Sequence, residues 1–425
     1  MEKFIIDGGN VLKGSISVMG SKNTATKLMA ASLLFDSSVA FSNIPEIDDV
    51  KKTAELLKKL GSKIAFEKGI MKIDSSAAKE FVLDHEIAKN MRASVVFLGP
   101  LLARFGQAHI PHPGGCVIGK RPINYFIDGF GKLGVTMKES NGFYEFSANK
   151  LKGAEIFMPF PSVTATETLM MAATLADGET IIKNAASEPE IQSLAEFLAL
   201  GGADIKGVGT NIIAIKGRAD KLLKFASGSI NTFSVIPDRI EAGSFAILGA
   251  LLGNPLKITD CRPEHLESLL IQLENAGVKI ERGDTWLEIT RPEKLKATSI
   301  TTAVYPGFAT DLQSPFSVLL TQAEGESIIF ETVFEGRLNY LEELKRMGAR
   351  VILCDPHRAI IIGPNSLRGR QMESPDLRAG LAFIIAALVA EGKSEIEKIY
   401  HIDRGYQQIE TRLQKIGAKI KRVSD

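Results

Sequence analysis

Apolar and polar positions along this chain predict an alternation of helices and strands. The apolar runs at 168–175, 245–252 and 381–389 each lie just before a glycine and predict buried helices. The most apolar stretch, residues 379–390, is about a dozen residues long, which is short of the ~20 residues that a membrane-spanning helix needs. The order of the elements excludes all-α and all-β folds and predicts an α/β fold.

One helix-to-strand pattern recurs along the chain. In each copy an amphipathic helix ends at a glycine, and a short pair of residues then leads into an apolar strand. The glycines, spaced by about 70 residues, are Gly61, Gly134, Gly202, Gly277, Gly348 and Gly417. Glycine suits these helix ends because it adopts a left-handed backbone without steric cost. We expect six repeats packed as two domains of three, with a linear solenoid as the alternative.

Composition and charge narrow the classes of function. Of the 425 residues, 45% are hydrophobic and 24% charged, as in ordinary globular proteins. The formal net charge of +1 lacks the basic excess of a nucleic-acid-binding protein. Three cysteines do not make a disulfide framework, and the first residues do not resemble a signal peptide. We therefore expect a cytoplasmic protein with no nucleic-acid partner and no membrane association.

The loop at 111–122 has the most unusual composition in the chain. It combines prolines, glycines and two cations around Cys116, and such a composition is typical of a functional loop. Nearby cations, here Lys120 and Arg121, lower the pKa of a thiol and make it reactive. We interpret Cys116 as a reactive thiol, although most free cysteines are small buried hydrophobes.

Three other interpretations of this loop are weaker. Residues 114–120 match most of a phosphate-binding P-loop. However, Arg121-Pro122 stands where the P-loop has the Ser/Thr that binds Mg²⁺, and the proline disfavours the helix that should follow. His109 and His112 suggest a metal pair, yet further ligands at a suitable spacing are missing. A Cys/His hydrolase would need a partner histidine that the sequence does not single out. We expect neither a metal nor a cofactor.

A second set of candidates lies at strand–helix junctions. Lys22 and Asn23 occupy a polar turn before an apolar helix predicted at 28–34, where free backbone N–H groups favour anions. Asp311 also precedes an apolar helix and is either a helix-stabilising acid or a functional carboxylate. Arginines occupy comparable junctions at Arg92, Arg121, Arg337, Arg378 and Arg404. Together they would suit a small, multiply charged anion.

A series of motifs in order along the chain resembles the UDP-N-acetylglucosamine 1-carboxyvinyltransferase family. They include Gly-Ser-Lys22-Asn23, Met-Arg92-Ala-Ser, Pro-Gly-Gly-Cys116, Ala-Thr-Asp311-Leu-Gln, Asp376-Leu-Arg378-Ala and Ile-Asp-Arg404-Gly-Tyr. The resemblance implies the enolpyruvyl transferase fold, a two-domain inside-out α/β barrel with three repeats in each domain. Because the family's first strand crosses into the C-terminal domain, the expected domains are 1–20 with 231–425, and 21–230.

The resemblance also implies a reaction. Members of this family transfer the enolpyruvyl group of phosphoenolpyruvate to the 3′-hydroxyl of UDP-N-acetylglucosamine and release phosphate, by addition and elimination, in the first committed step of peptidoglycan synthesis. By this likeness Cys116 protonates C3 and can form a covalent adduct, while Asp311 accepts the proton of the sugar hydroxyl. Lys22 and Arg404 complete the expected catalytic set. The expected partners are the two substrates, and a monomer is favoured.

The likeness assigns binding roles to further positions. Lys22, Arg121 and Arg404 would hold the phosphate, and Arg337 and Arg378 would lie on the carboxylate side. The full expected substrate-binding set is Lys22, Asn23, Arg92, Arg121, Pro122, Ile123, Asn124, Tyr125, Ser162, Val163, Thr164, Asp311, Val333, Arg337, Asp376, Arg378 and Arg404.

Departures from the family pattern fall mainly on the acceptor side. They are Asn124, Phe126, Phe160, Thr164 and Gly336. Two alternatives therefore stay open: an enolpyruvyl transferase with another acceptor, such as shikimate-3-phosphate, and a non-catalytic paralogue that binds a nucleotide sugar. The Cys116 loop disfavours the first alternative, and the retained catalytic residues disfavour the second.

Overall fold

The computed structural model describes residues 2–89, 91–112, 123–219, 221–225 and 232–424. The described residues form two compact units. The C-terminal unit comprises residues 2–19 and 237–424, and the N-terminal unit comprises the described residues from 20 to 236. Each unit has its own hydrophobic core.

Helices and strands alternate along the described chain, as the α/β prediction requires. The strands are β1 (Glu2–Asp7), β2 (Leu12–Ser17), β3 (Val39–Ser42), β4 (Lys63–Glu67), β5 (Ile70–Asp74), β6 (Gln107–Pro111), β7 (Thr136–Ser140), β8 (Phe143–Ser147), β9 (Glu155–Phe157), β10 (Glu179–Lys183), β11 (Asp204–Lys206), β12 (Ile212–Lys216), β13 (Thr232–Ser234), β14 (Gly253–Thr259), β15 (Lys279–Arg282), β16 (Trp286–Thr290), β17 (Leu295–Lys296), β18 (Ile300–Thr301), β19 (Ala323–Phe330), β20 (Arg350–Asp355), β21 (Arg358–Gly363), β22 (Gln371–Glu373), β23 (Lys393–Glu397) and β24 (Lys419–Ser424). The helices are α1 (Lys22–Ala31), α2 (Asp48–Lys59), α3 (His85–Ala88), α4 (Leu98–Phe105), α5 (Asn124–Lys132), α6 (Val163–Leu175), α7 (Pro189–Leu200), α8 (Arg239–Leu252), α9 (Glu267–Asn275), α10 (Thr310–Thr321), α11 (Leu341–Arg346), α12 (Leu377–Val389), α13 (Tyr400–Asp403) and α14 (Ile409–Lys415). Short 3₁₀ helices lie at Ser32–Leu34, Arg92–Phe97 and Pro263–His265.

The C-terminal unit places three apolar helices inside and its sheets around them. Helices α8, α10 and α12 pack against one another and are buried over most of their length. The described strands form the sheets β22-β23-β1-β24, β15-β16-β14-β2 and β17-β19-β21-β20, with β18 pairing β19. The sheets mix parallel and antiparallel pairs; β1, for example, runs antiparallel to both of its neighbours, whereas β2 is parallel to β14.

The N-terminal unit repeats this design. Helices α1, α4 and α6 all contribute buried apolar side chains to its core, and α4 packs along α6. Its described strands form the sheets β11-β12-β10-β9, β13-β3-β5-β4 and β6-β8-β7. The predicted buried helices at 168–175, 245–252 and 381–389 are confirmed as parts of α6, α8 and α12. Within the described chain, no helix is both long and apolar enough to cross a membrane.

The recurring glycines behave as their sequence context predicts. Gly61, Gly134, Gly202, Gly277, Gly348 and Gly417 all have φ between 87° and 110°. Each comes shortly after a surface helix, and a strand begins two residues later. The left-handed backbone predicted at these helix ends is therefore confirmed.

The start of α1 differs from the prediction. The apolar pattern predicted a helix at 28–34 preceded by a polar turn, but α1 begins at Lys22. Ser21 caps it, since its hydroxyl accepts a hydrogen bond from the backbone N–H of Thr24 at 3.2 Å. The first residues of α1 are mostly polar, although the helix is buried from Thr24 onward. The pattern of apolar residues therefore does not show that the helix begins at Lys22.

Candidate functional site

Those predicted binding residues of the N-terminal unit that the structure describes lie at the beginnings of helices. Lys22 and Asn23 open α1, Arg92 opens the 3₁₀ helix Arg92–Phe97, Asn124 and Tyr125 open α5 after Ile123, and Val163 and Thr164 open α6 after Ser162. Helix beginnings expose backbone N–H groups that lack an intrahelical partner, and these groups favour anionic ligands. The Arg92–Phe97 helix packs against both α1 and α6, and α5 packs against α6.

A buried acid fixes the Lys22 side chain. The Nζ atom of Lys22 donates a hydrogen bond to Oδ2 of Asp49 at 3.0 Å, and the Asp49 side chain is only 2% exposed. Asp49 lies in the first turn of α2. This partner was not predicted, because an acid in the first turn of a helix is typical of an ordinary helix-stabilising residue. The contact holds an ammonium group at the beginning of α1.

In the C-terminal unit, Asp311 lies between two guanidinium groups. Nη2 of Arg337 donates to Oδ1 of Asp311 at 2.8 Å, and Nε of Arg378 donates to Oδ2 at 2.9 Å. Both arginine side chains are almost fully buried, whereas that of Asp311 is 28% exposed. Asp311 is in the first turn of α10. The structure thus brings three separately predicted residues into one charge-assisted cluster whose carboxylate remains accessible.

A buried tyrosine supports this cluster from behind. Nη1 of Arg378 donates to the hydroxyl oxygen of Tyr406 at 2.8 Å. Burial raises the pKa of Tyr406 to about 12, although the charge of Arg378 opposes the shift. Asp376, another predicted residue, caps α12 by accepting the backbone N–H groups of Arg378 and Ala379. Tyr406 was not predicted, because a tyrosine 28 residues away along the chain carries no local signal.

Val333 lies in a turn that a buried carboxylate organises. The backbone N–H groups of Val333 and Phe334 donate to Oε1 of Glu331 at 2.9 and 3.1 Å. Oε2 of Glu331 accepts a hydrogen bond from the hydroxyl of Thr310 at 2.9 Å. Thr310 directly precedes Asp311 at the beginning of α10. Neither Glu331 nor Thr310 was among the predicted site residues.

Arg404 follows the short helix α13. Burial and the charge of Arg404 lower the pKa of His401. His401 lines a cavity of about 850 Å³ in the same unit, together with Arg337 and Asp376. Two of the predicted residues, Arg337 and Asp376, therefore line one open volume in the C-terminal unit.

Some predicted residues cannot be placed. Cys116, Arg121 and Pro122 lie outside the described residues, so their roles stay predictions. Of the other two cysteines, Cys261 is buried and Cys354 is exposed. Burial raises the pKa of Cys261 to about 11, which makes it a poor nucleophile at neutral pH.

Two of the departures from the family pattern have different surroundings. Asn124 is exposed at the beginning of α5, where it can meet a ligand. Phe126 is only 4% exposed and belongs to the core of the N-terminal unit. Its side chain therefore stabilises α5 by packing.

Comparison with solved structures defines the class of protein. The crystal structure of the enolpyruvyl transferase NikO from Streptomyces tendae matches with a TM-score of 0.90 and 25% identity, covering 100% of this chain and 99% of that one. The EPSP synthase of Acinetobacter baumannii matches with a TM-score of 0.76 and 18% identity, covering both chains fully. The predicted enolpyruvyl transferase fold is confirmed.

Sequence comparison narrows the family. The profile of EPSP synthase (3-phosphoshikimate 1-carboxyvinyltransferase) matches residues 6–413. The UDP-N-acetylglucosamine 1-carboxyvinyltransferase of Halothermothrix orenii is 47% identical over 423 residues, with full coverage of both chains. UDP-N-acetylglucosamine 1-carboxyvinyltransferase 1 of Carboxydothermus hydrogenoformans is 45% identical over 424 residues, covering 100% of this chain and 99% of its own. The chain belongs to the UDP-N-acetylglucosamine 1-carboxyvinyltransferase family, within the wider EPSP synthase family.

Proposed function

We propose that this protein transfers the enolpyruvyl group of phosphoenolpyruvate to the 3′-hydroxyl of UDP-N-acetylglucosamine in the cytoplasm, the first committed step of peptidoglycan synthesis. The observation that carries the proposal is the similarity to relatives of that name along the whole chain. The cluster of Asp311 with Arg337 and Arg378 supports it, because the reaction needs a fixed carboxylate beside cationic groups.

Asp311 is our candidate for the base that activates the acceptor. Its carboxylate is held by two guanidinium groups and is 28% exposed, so a substrate hydroxyl can reach it. In the addition step the 3′-oxygen bonds to C2 of phosphoenolpyruvate while its proton passes to Asp311. A positioned general base typically contributes a factor of about 10² to 10⁴.

Cys116 is our candidate for the acid that acts on the donor. Its thiol gives a proton to C3 of phosphoenolpyruvate as the new bond forms at C2. In the elimination step C3 returns a proton to the thiolate, the C2–C3 double bond forms again, and the bond from C2 to the phosphate oxygen breaks. The departing phosphate takes up the proton held by Asp311, which restores the base. The products are the carboxyvinyl sugar nucleotide and inorganic phosphate, and no redox step is involved.

The cations have distinct proposed roles. Lys22 and Arg404, with Arg121, would hold the phosphate group of the donor. Arg337 uses one of its five N–H donors on Asp311 within the described part of the chain, so it retains donors for the carboxylate of phosphoenolpyruvate. Arg378 is shared between Asp311 and Tyr406, which suits a role in holding the base.

Phosphate release from phosphoenolpyruvate tests the proposal. Parallel reactions contain UDP-N-acetylglucosamine, shikimate-3-phosphate or no acceptor. We expect release that depends on UDP-N-acetylglucosamine. Phosphate release with shikimate-3-phosphate alone would show that this compound is the acceptor. No release with either compound would favour a non-catalytic protein.

The role of Cys116 can be tested with fosfomycin, an epoxide that alkylates the loop cysteine of this family. We expect one covalent adduct on the wild type and none on Cys116→Ser. The matched control is Cys354→Ser, because Cys354 is an exposed free cysteine. Intact-protein mass spectrometry reads out the adduct, and equal labelling of the wild type and Cys116→Ser would contradict the proposed thiol chemistry.

A further inference from the structure

Glu331 is a fully buried carboxylate that no cation neutralises within the described chain. Its side chain is 0% exposed, and the salt bridges of the described residues do not include it. Three donors satisfy it: the hydroxyl of Thr310 and the backbone N–H groups of Val333 and Phe334. Burying a charge without a counterion is costly unless hydrogen bonds compensate. These three hydrogen bonds form a bridge, through the Glu331 carboxylate, between Thr310 and the turn at Val333 and Phe334.

The backbone of Glu331 is fixed as well. Its N–H donates to the carbonyl oxygen of His357 at 2.7 Å. Nδ1 of His357 lies 2.7 Å from the carbonyl oxygen of Glu331. Because a carbonyl oxygen only accepts, Nδ1 of His357 carries the proton and donates it. Glu331 is thus held at both main-chain atoms while its side chain reaches across to α10.

The bridge joins two parts of the proposed site. On one side it holds Thr310, whose next neighbour along the chain is Asp311. On the other side it holds the turn that presents Val333. We propose that Glu331 is a positioning residue. It fixes the proposed base Asp311 and the Val333 turn relative to each other for binding of the acceptor sugar. This inference rests on the proposed function and adds a residue to which that proposal gives no role.

The chemistry of the bridge predicts which substitutions it tolerates. A glutamine at 331 can place its carbonyl oxygen toward the two backbone N–H groups and its amide N–H toward the Thr310 hydroxyl, which then accepts. A methionine at 331 can do neither and leaves both backbone donors without a partner. The bridge therefore requires correctly placed hydrogen-bonding atoms at the end of the side chain of residue 331, and not its negative charge. Displacing a catalytic group by 1 Å can cost about 100-fold in rate.

Two pairs of variants test the positioning role. We expect Glu331→Gln and Thr310→Ser to keep kcat/KM for UDP-N-acetylglucosamine within about threefold of the wild type, because they keep the bridge. We expect Thr310→Val to lose about tenfold and Glu331→Met about 100-fold. The KM for phosphoenolpyruvate should stay within about twofold in Thr310→Val. The milder Thr310 pair keeps the test informative if Glu331→Met folds poorly.

Hydrogen–deuterium exchange of the 331–337 segment provides a readout independent of activity. Glu331→Met should speed exchange at Val333 and Phe334, and Glu331→Gln should not. Unchanged exchange in Glu331→Met, equal kinetics of the Thr310→Val and Thr310→Ser enzymes, or a Glu331→Gln loss as large as that of Glu331→Met would overturn the inference. A wild type that is inactive with UDP-N-acetylglucosamine would instead refute the proposed function, and the positioning role with it.

Discussion

Each unit contains a carboxylate that lies close to a cation, and the two carboxylates differ in their exposure to solvent. Glu167 on α6 is fully buried, and Nζ of Lys27 lies 3.4 Å from its Oε2. Asp311 on α10 is partly exposed and accepts hydrogen bonds from two guanidinium groups at 2.8 and 2.9 Å. Among the residues that the structure describes, the first carboxylate is enclosed beside Lys27, whereas the second reaches solvent and contacts Arg337 and Arg378.

At each carboxylate, burial disfavours the ionised form and a nearby cation favours it, and the larger of the two effects decides. Burial raises the pKa of Glu167 to about 7, since the attraction of Lys27 does not compensate for lost hydration and since Glu190 and Glu188 add repulsion. At Asp311 two charge-assisted bonds stabilise the ionised carboxylate, and its exposure keeps it hydrated. The comparison indicates that Glu167 serves the core of its unit, while Asp311 is arranged to act on a ligand.

Removing the Asp311 carboxylate should give the largest effect. We expect Asp311→Asn to lower kcat by at least about 100-fold, because it removes the proposed general base. Steady-state phosphate release measures this change. The matched control is Asp177→Asn, which breaks the exposed pair of Asp177 with Lys150. A kcat of the Asp311→Asn enzyme within tenfold of the wild-type value would show that Asp311 is not the general base.

The pH dependence of stability should distinguish Glu167. Its folded pKa of about 7 lies above the ordinary value of 4.5, so the unfolded chain loses this proton first as the pH rises. The stability contributed by Glu167 is therefore complete below about pH 4.5 and is lost as the pH rises to about 7. The pKa difference corresponds to about 3 kcal/mol. We expect Glu167→Gln to remove this part of the pH dependence and to leave kcat within about twofold.

Urea unfolding at pH 4.5 to 8 measures this difference. The matched control is Glu155→Gln, which removes an exposed partner of Lys183 that lies 2.6 Å from it. Exposed pairs contribute about 0 to 1 kcal/mol, so the control should change little with pH. Parallel stability curves for the wild type and Glu167→Gln would show that Glu167 does not retain its proton.

A smaller effect is expected from Tyr406→Phe. The substitution keeps the ring in the core but leaves Nη1 of Arg378 without its buried acceptor. We expect kcat/KM to fall about tenfold, in line with the loss of a hydrogen bond to a charged group. Kinetics with each substrate varied in turn measure this, and thermal unfolding of the same sample accounts for lost stability. An unchanged kcat/KM would show that Arg378 holds Asp311 without the tyrosine.

Sequence patterns predicted the parts of this protein that are local. The buried helices follow from continuous apolar runs, as in α12, and the helix ends follow from glycines such as Gly348. The beginning of α1 was missed because its residues are polar although they are buried. Local chemistry therefore predicted the buried helices and the glycines at helix ends better than individual helix boundaries.

Contacts between distant residues account for what the sequence could not provide. Motifs placed Asp311, Arg337 and Arg378 on the candidate list, but only the fold shows that the two arginines share one carboxylate. The supporting residues Glu331 and Tyr406 are separated from their partners by 21 and 28 positions. No spacing rule connects such residues, because the packing of separate helices and strands brings them together.

The most direct test of the account is to identify the product made from phosphoenolpyruvate and UDP-N-acetylglucosamine. Mass spectrometry of the sugar nucleotide and phosphate measurement are carried out on the same reaction. We predict one carboxyvinyl group on the sugar nucleotide for each phosphate released. Phosphate release with an unmodified sugar nucleotide, or no release at all, would contradict the account.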